Sequence, residues 1–373
     1  MHVGKSIFFQ NLEGDRADDD VIQHQLALAD RAEPQGFESL WIAEHHFGKY
    51  HMAPNPLQLL TYLAARTSTI RLGSSVVVLP WHDPVRVAEE LAVLDHVSHG
   101  RVLFGVGRGL GRHEFEGFRL EMGESRQRFK EYGAMILDAF ETGTMSADGP
   151  LFHQPPVALR PSPIAPMRGR AYGSSISPDS MEVMAELGLG VLVLAQKPWD
   201  VTERDVLAYE DMFVQKNGFP PPKPLLLAFV NVAESEAAAA EMHEQYNIRY
   251  ARSTFDWYEF SNEKLATVPG YEYYEKFLAN IAKHGADGFV RFLADLQVHG
   301  TPDQVVEQLT ANVRRINGAG VIAVTSYAGM SDEVGTANQD LFAREVLPRL
   351  KAVDPERDVP NIADLVTKQP ARL

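Results

Sequence analysis

The chain has no cysteine among its 373 residues. That absence excludes disulfide frameworks, thiolate nucleophiles and zinc–thiolate centres together. Positive charge is also scarce: 35 Lys and Arg stand against 50 Asp and Glu, a formal net charge of -15. A nucleic acid or an anionic membrane would need a basic face, so neither partner is expected. No apolar run approaches the roughly 18 residues of a membrane span. The opening MHVGKSIFFQ is too short, and turns polar too early, for a secretory signal. The expectation is a soluble, cytoplasmic protein.

What is present is ordinary in bulk and informative in pattern. Hydrophobic residues make up 45% and charged residues 23%, enough for a large core. Strand-like runs occur at Val3–Phe9, Ser39–Ala43, Ile70–Leu79, Val102–Val106, Arg170–Gly173, Val191–Leu194, Leu225–Val232 and Val321–Ser326. They scarcely alternate polar with apolar, as expected of parallel strands covered on both faces. Helix-like segments follow at Asp18–Ala32, Pro56–Arg66, Val85–Val97, Glu124–Phe140, Asp179–Leu187, Thr202–Val214, after Glu234 and at Asp340–Leu350. Eight such units close most economically as a (β/α)8 TIM barrel of the α/β class, with insertions, as one domain over residues 1–373.

Two stretches exceed the ideal barrel. Thr144–Met167 holds Pro150, Pro155, Pro156, Pro161, Pro163 and Pro166 and reads as a long ordered excursion. The region 250–299 carries Tyr250, Trp257, Tyr258, Phe260, Tyr271, Tyr273, Tyr274 and Phe277. It is either a lid or pocket wall, or a helical insertion packed on the barrel. Thr301 before Pro302 marks a helix start, and a polar tail runs from about residue 354.

In a parallel barrel, ligands bind at the carboxyl ends of the strands. Glu44-His45-His46-Phe47 follows the second run, His82-Asp83-Pro84-Val85-Arg86 the third, and Gly105-Val106-Gly107-Arg108-Gly109 the fourth. A strand-end imidazole can move a proton near neutral pH. The plainer account is a histidine pair satisfied at a domain or subunit contact. Adjacent strand residues face opposite sides, so only one of the two can face the interior. A glycine-rich turn lets a flat ligand approach the backbone, with Arg108 as a fixed charge. Arg126 opens the next helix, where a cation opposes the helix dipole and is better placed if it meets an anion. Ser177 and Ser180 sit at another helix start, suited to capping and also to a phosphate. Each arginine taken alone could be no more than a surface ion pair.

The same pieces, with Gly73–Pro80, Leu94-Asp95, Gly100-Arg101, Glu124-Ser125-Arg126 and Gly300–Gln304, resemble the bacterial luciferase-like family of flavin-dependent monooxygenases. The resemblance runs from Gly36 to about Leu350. It implies a barrel binding FMN as FMNH2, supplied by a separate flavin reductase, and the oxygenation of a small organic substrate by O2 through a flavin C4a-hydroperoxide. Residue by residue it implies His45 in oxygen chemistry, Arg108 and Arg126 with Ser177 and Ser180 on the phosphate, and a cis Ser75–Val76 peptide under the ring. It also implies a homodimer through the helices after the second and third strands, with His46 and Glu89 candidates for a cross-subunit hydrogen bond. Luciferase-type chains carry a cysteine where this one has Gly107, and a glutamate where it has Ile176, so light emission and aldehyde specificity do not carry over. An F420-dependent oxidoreductase on the same fold and a non-catalytic flavin-binding protein are the alternatives.

Overall fold

A computed structural model describes residues 1–174 and 176–353; the tail expected from about residue 354 lies outside the described residues. Eight parallel strands form a closed barrel: β1 (His2–Ile7), β2 (Ser39–Ile42), β3 (Arg71–Ser74), β4 (Val102–Gly107), β5 (Ala171–Ser174), β6 (Gly190–Leu194), β7 (Leu225–Val232) and β8 (Gly320–Val324). Each pairs with its sequence neighbour, and β8 returns to β1 through His2↔Gly320 to Ser6↔Val324. All eight expected strands are present, each wholly or partly within its predicted run. They are buried nearly throughout, which explains their unbroken hydrophobicity.

The helices begin where local chemistry favours it. Helix α1 spans Asp18–Ala32, with three aspartates in its first turn and Arg31 in its last, complementing the helix dipole. Helix α2 is Pro56–Ala64 and α3 is Pro84–Val97; the Asp83 carboxylate caps α3 by accepting from the Val85 and Arg86 N–H groups. Thr301 and Gln304 form a reciprocal capping box at the start of Pro302–Arg315. No helix among the described residues is long and apolar enough to cross a membrane.

The apolar residues fall into three clusters. The largest lies between the strands and the surrounding helices. A second fills the barrel, where Trp41 lies against Gly73: a Cβ on that glycine would lie 2.3 Å from the indole. The third belongs to the aromatic insertion, whose Phe255, Phe260, Tyr271, Tyr274, Phe277 and Phe289 pack with Val78, Trp81, Phe115 and Met122 of the loops beyond β3 and β4. This region is helical (Ile248–Trp257, Glu263–Thr267, Glu275–Asp295) and also lies over the strand ends. The two readings of it were therefore not exclusive. The proline-rich excursion contains an antiparallel hairpin, Thr144–Asp148 with His153–Ala158, whose outer strand tolerates Pro155 and Pro156 because it is an edge.

Candidate functional site

His45, Ser75, Val76, Arg108, Arg126, Ser177 and Ser180 all line one cavity of about 180 Å³ beyond the carboxyl ends of the strands. Its floor includes Ser75–Val76, whose peptide bond is cis, and Gly107. A Cβ on Gly107 would lie 2.5 Å from Val76 Cγ2. Valine therefore fills the space in which luciferase-type chains carry a cysteine.

Positive charge gathers at one end. Arg108 Nη1 donates to the Gly270 carbonyl at 2.7 Å, and Arg126 Nη2 donates to the same oxygen at 3.1 Å. The Arg108 guanidinium also lies 3.9 Å from the centre of the Tyr271 ring. Tyr271 is held in turn, donating to the Gly109 carbonyl at 2.8 Å. Arg126 Nε is enclosed without a hydrogen-bond partner, and the nearest carboxylate, on exposed Asp179, stands 3.4 Å from Nη2. Two cations thus share one neutral carbonyl, and only Arg126 reaches an acid, Asp179. Beside them Ser177 caps the helix Pro178–Leu187, accepting from the Ser180 N–H at 3.3 Å, and the two hydroxyls lie 2.8 Å apart.

Lys197 steadies that turn, although nothing in the sequence marked it. Its Nζ donates to the Ile176 carbonyl at 2.7 Å and to Asp205 at 2.5 Å. Burial lowers the Lys197 pKa in spite of Asp205. The position where luciferase-type chains have a glutamate thus contributes its backbone oxygen here, tied by an internal cation.

His45 stands in a different part of the cavity, among aromatic side chains. Its Nδ1 lies 3.1 Å from Glu114 Oε1, and Tyr258 Oη lies 3.3 Å from its Nε2. Trp257 Nε1 is 3.3 Å from Nδ1, and Tyr50 stacks on Trp257 at 5.2 Å. Glu114 is wholly buried; its Oε1 also accepts from the His46 N–H at 2.8 Å, while its Oε2 has no partner. In the sequence Glu114 falls in the polar stretch between the fourth strand and the helix at Glu124–Phe140, where nothing marks it as buried.

His46 points away from the cavity, as neighbouring positions should, but its expected partner across a subunit contact is corrected. Its Nε2 is 2.8 Å from Glu44 Oε1 of the same chain, the residue is buried, and Glu89 pairs with Arg86 at 3.3 Å. His82 Nε2 meets the same Glu44 oxygen at 2.6 Å, and the Val78 N–H donates to Oε2 at 2.8 Å. Burial alone would raise the Glu44 pKa, yet the hydrogen bonds from His46, His82 and Val78 bring it below the usual value. Burial opposes a charged His82, but Glu44 outweighs it and raises the His82 pKa. The cluster ties the end of β2 to the loop beyond β3, fixing the floor from below.

The sequence profile described as luciferase-like monooxygenase matches residues 1–317. The chain belongs to that family. Among curated relatives, limonene 1,2-monooxygenase of Rhodococcus erythropolis is 27% identical over 355 residues, covering 89% of this chain and 83% of its own. Among solved structures, monooxygenase RslO1 from Streptomyces bottropensis superposes with a TM-score of 0.78 at 23% identity, over 94% of this chain and 99% of that one. The oxygenating constituent of 3,6-diketocamphane monooxygenase from Pseudomonas putida, in complex with FMN, gives 0.74 at 19% identity, over 96% and 100%. The two superpositions concern the fold. Membership of the luciferase-like monooxygenase family supports an oxidoreductase.

Proposed function

We propose that the chain is the oxygenating component of a two-component system, binding FMN as FMNH2 and using O2 to oxygenate a small organic substrate. One observation carries the reading: two guanidinium groups and a helix N-terminus converge at one end of a cavity that elsewhere holds His45 among aromatic rings. The unpartnered Arg126 Nε and the shared Gly270 carbonyl leave donors for a phosphate dianion. The flat floor at Ser75–Val76 and Gly107 suits a planar ring.

When bound, the reduced flavin supplies the electrons that activate O2. The chain does the rest. Arg108, Arg126, Ser177 and Ser180 orient the phosphate, and Tyr50, Tyr250, Tyr258, Phe8 and Phe229 wall the cavity against water. His45 holds or takes a proton at Nε2. The reduced flavin comes from a separate reductase, as the family resemblance implies.

Arg108→Ala should weaken FMNH2 binding by about 1.5–3 kcal/mol, the usual loss for a hydrogen bond to a charged group. Anaerobic titration measures it. Parent-like affinity in both Arg108→Ala and Arg126→Ala would end this assignment, and tighter binding of F420H2 than of FMNH2 would replace the cofactor.

A homodimer is part of the proposal. Helices α2 and α3 leave Tyr62, Val93 and Val97 exposed on the face the resemblance assigns to the subunit contact. Sedimentation velocity at micromolar concentration should give twice the chain mass; a strict monomer contradicts it.

A further inference from the structure

We propose that Tyr258, carried by the aromatic insertion, passes a proton between His45 and a reacting oxyanion in the cavity, with Glu114 positioning the imidazole for it. The inference rests on the reading of His45 as the proton-handling residue. It begins from hydrogen placement. A bare Nδ1 would set its lone pair against the Glu114 carboxylate oxygen 3.1 Å away, so the hydrogen of a neutral ring belongs on Nδ1. Trp257 Nε1 also directs its N–H at the same nitrogen, 3.3 Å away, but that longer contact between neutral groups is weaker than the shorter one to the Glu114 carboxylate, which decides the tautomer. Nε2 is left as an acceptor, and the group facing it is the Tyr258 hydroxyl at 3.3 Å.

The surroundings leave Nε2 little other access. The imidazole meets Tyr50, Trp257 and Tyr258 edge-on, with ring centres 5.1, 5.7 and 5.9 Å away. A substrate atom approaching Nε2 would have to displace the tyrosine hydroxyl. Tyr258 itself lines the cavity beside His45. Burial, with the nearby Tyr50 and Glu114, holds its pKa well above the ordinary phenol value, so the group stays neutral and serves as both donor and acceptor.

The transfer balances. The imidazolium arises when a bound hydroxyl has given its proton along this path to bare Nε2; an oxyanion then takes the Tyr258 hydroxyl hydrogen while the Tyr258 oxygen takes the Nε2 hydrogen. One O–H bond forms on the oxyanion, one N–H bond breaks on His45, and the tyrosine is regenerated. The imidazole ends neutral with Nδ1–H on Glu114, and no electrons change hands. Run backwards, the same path removes a proton from a bound hydroxyl.

The test uses Tyr258→Phe, which keeps the ring and removes only the hydroxyl. In histidine-labelled, cofactor-free protein, the nitrogen-15 shift of His45 Nε2 should move toward that of a free acceptor while Nδ1 remains protonated. Glu114→Ala should instead disturb Nδ1. In protein loaded with FMNH2 and mixed with oxygenated buffer, hydrogen peroxide release should slow at least tenfold in Tyr258→Phe. FMNH2 affinity should stay unchanged. An unmoved Nε2 resonance, or a parent-like rate, overturns the relay. If the parent binds no FMNH2, the flavin reading fails by itself, and the cofactor-free measurement still decides whether Tyr258 holds Nε2.

Discussion

Replacing His45 by alanine should leave the barrel folded and FMNH2 binding nearly intact, while product formed per flavin oxidised falls by about 10²–10⁴-fold, the range for loss of a general acid–base group. His45 is apart from the two arginines and stands among Glu114, Tyr258 and Trp257, so its removal spares the phosphate end. Oxygen should still be consumed and recovered as hydrogen peroxide, released more slowly than from the parent. Single-turnover measurement of product, peroxide and oxidised flavin gives the three quantities together. Parent-like coupling would remove His45 from the mechanism. His46→Ala is the contrasting variant: it takes one donor from buried Glu44, so stability should drop by about 1–3 kcal/mol, the cost of a buried group losing a hydrogen bond, with coupling preserved. The reverse pattern would exchange the roles of the two histidines.

The second large effect is on stability. Arg170 and Asp95 form a two-pronged pair, with Nη1–Oδ1 at 2.6 Å and Nη2–Oδ2 at 2.7 Å, and their side chains are only 3% and 1% exposed. Arg170 also donates to the Pro166 and Ala165 carbonyls, tying the end of the proline-rich excursion to the start of β5. Asp95→Ala strands a guanidinium in the interior and should cost about 3–5 kcal/mol. Urea unfolding followed by circular dichroism would measure it. Should that variant not fold, the pair Asp95→Leu with Arg170→Met removes both charges and should recover most of the stability. A loss below about 1 kcal/mol in Asp95→Ala would show that water or another acid reaches Arg170.

The barrel was legible in the sequence because parallel strands covered on both faces leave apolar runs that need no long-range information to recognise. Helix α1 falls on its predicted limits, Asp18–Ala32, since acids at its start and Arg31 at its end suit the dipole. All seven candidate residues meet in one cavity because each stands just beyond a strand or at a following helix start. Their roles rest on the tests above. What stayed hidden depends on direction more than position. Glu114 turns inward on a short helix that begins three residues after Gly109, itself at φ +81°, and no periodicity reveals that. Lys197 looks like an ordinary solvated lysine until the Ile176 carbonyl and Asp205 are brought to it. Tyr258 was visible as one aromatic among many in its region, but its contact with His45 joins residues 213 apart.

Val76 and Gly107 together set an order on how this family position can change. A side chain at 107 begins with a Cβ 2.5 Å from a valine methyl, and a β-branched neighbour has few rotamers with which to yield. A lineage moving from this chain toward a thiol at 107 must therefore first shrink residue 76, passing through a form with open space on the cavity floor. Starting at 107 leads through an overpacked intermediate that costs about 1–3 kcal/mol. The two substitutions are each simple, yet the contact favours the order in which residue 76 shrinks first.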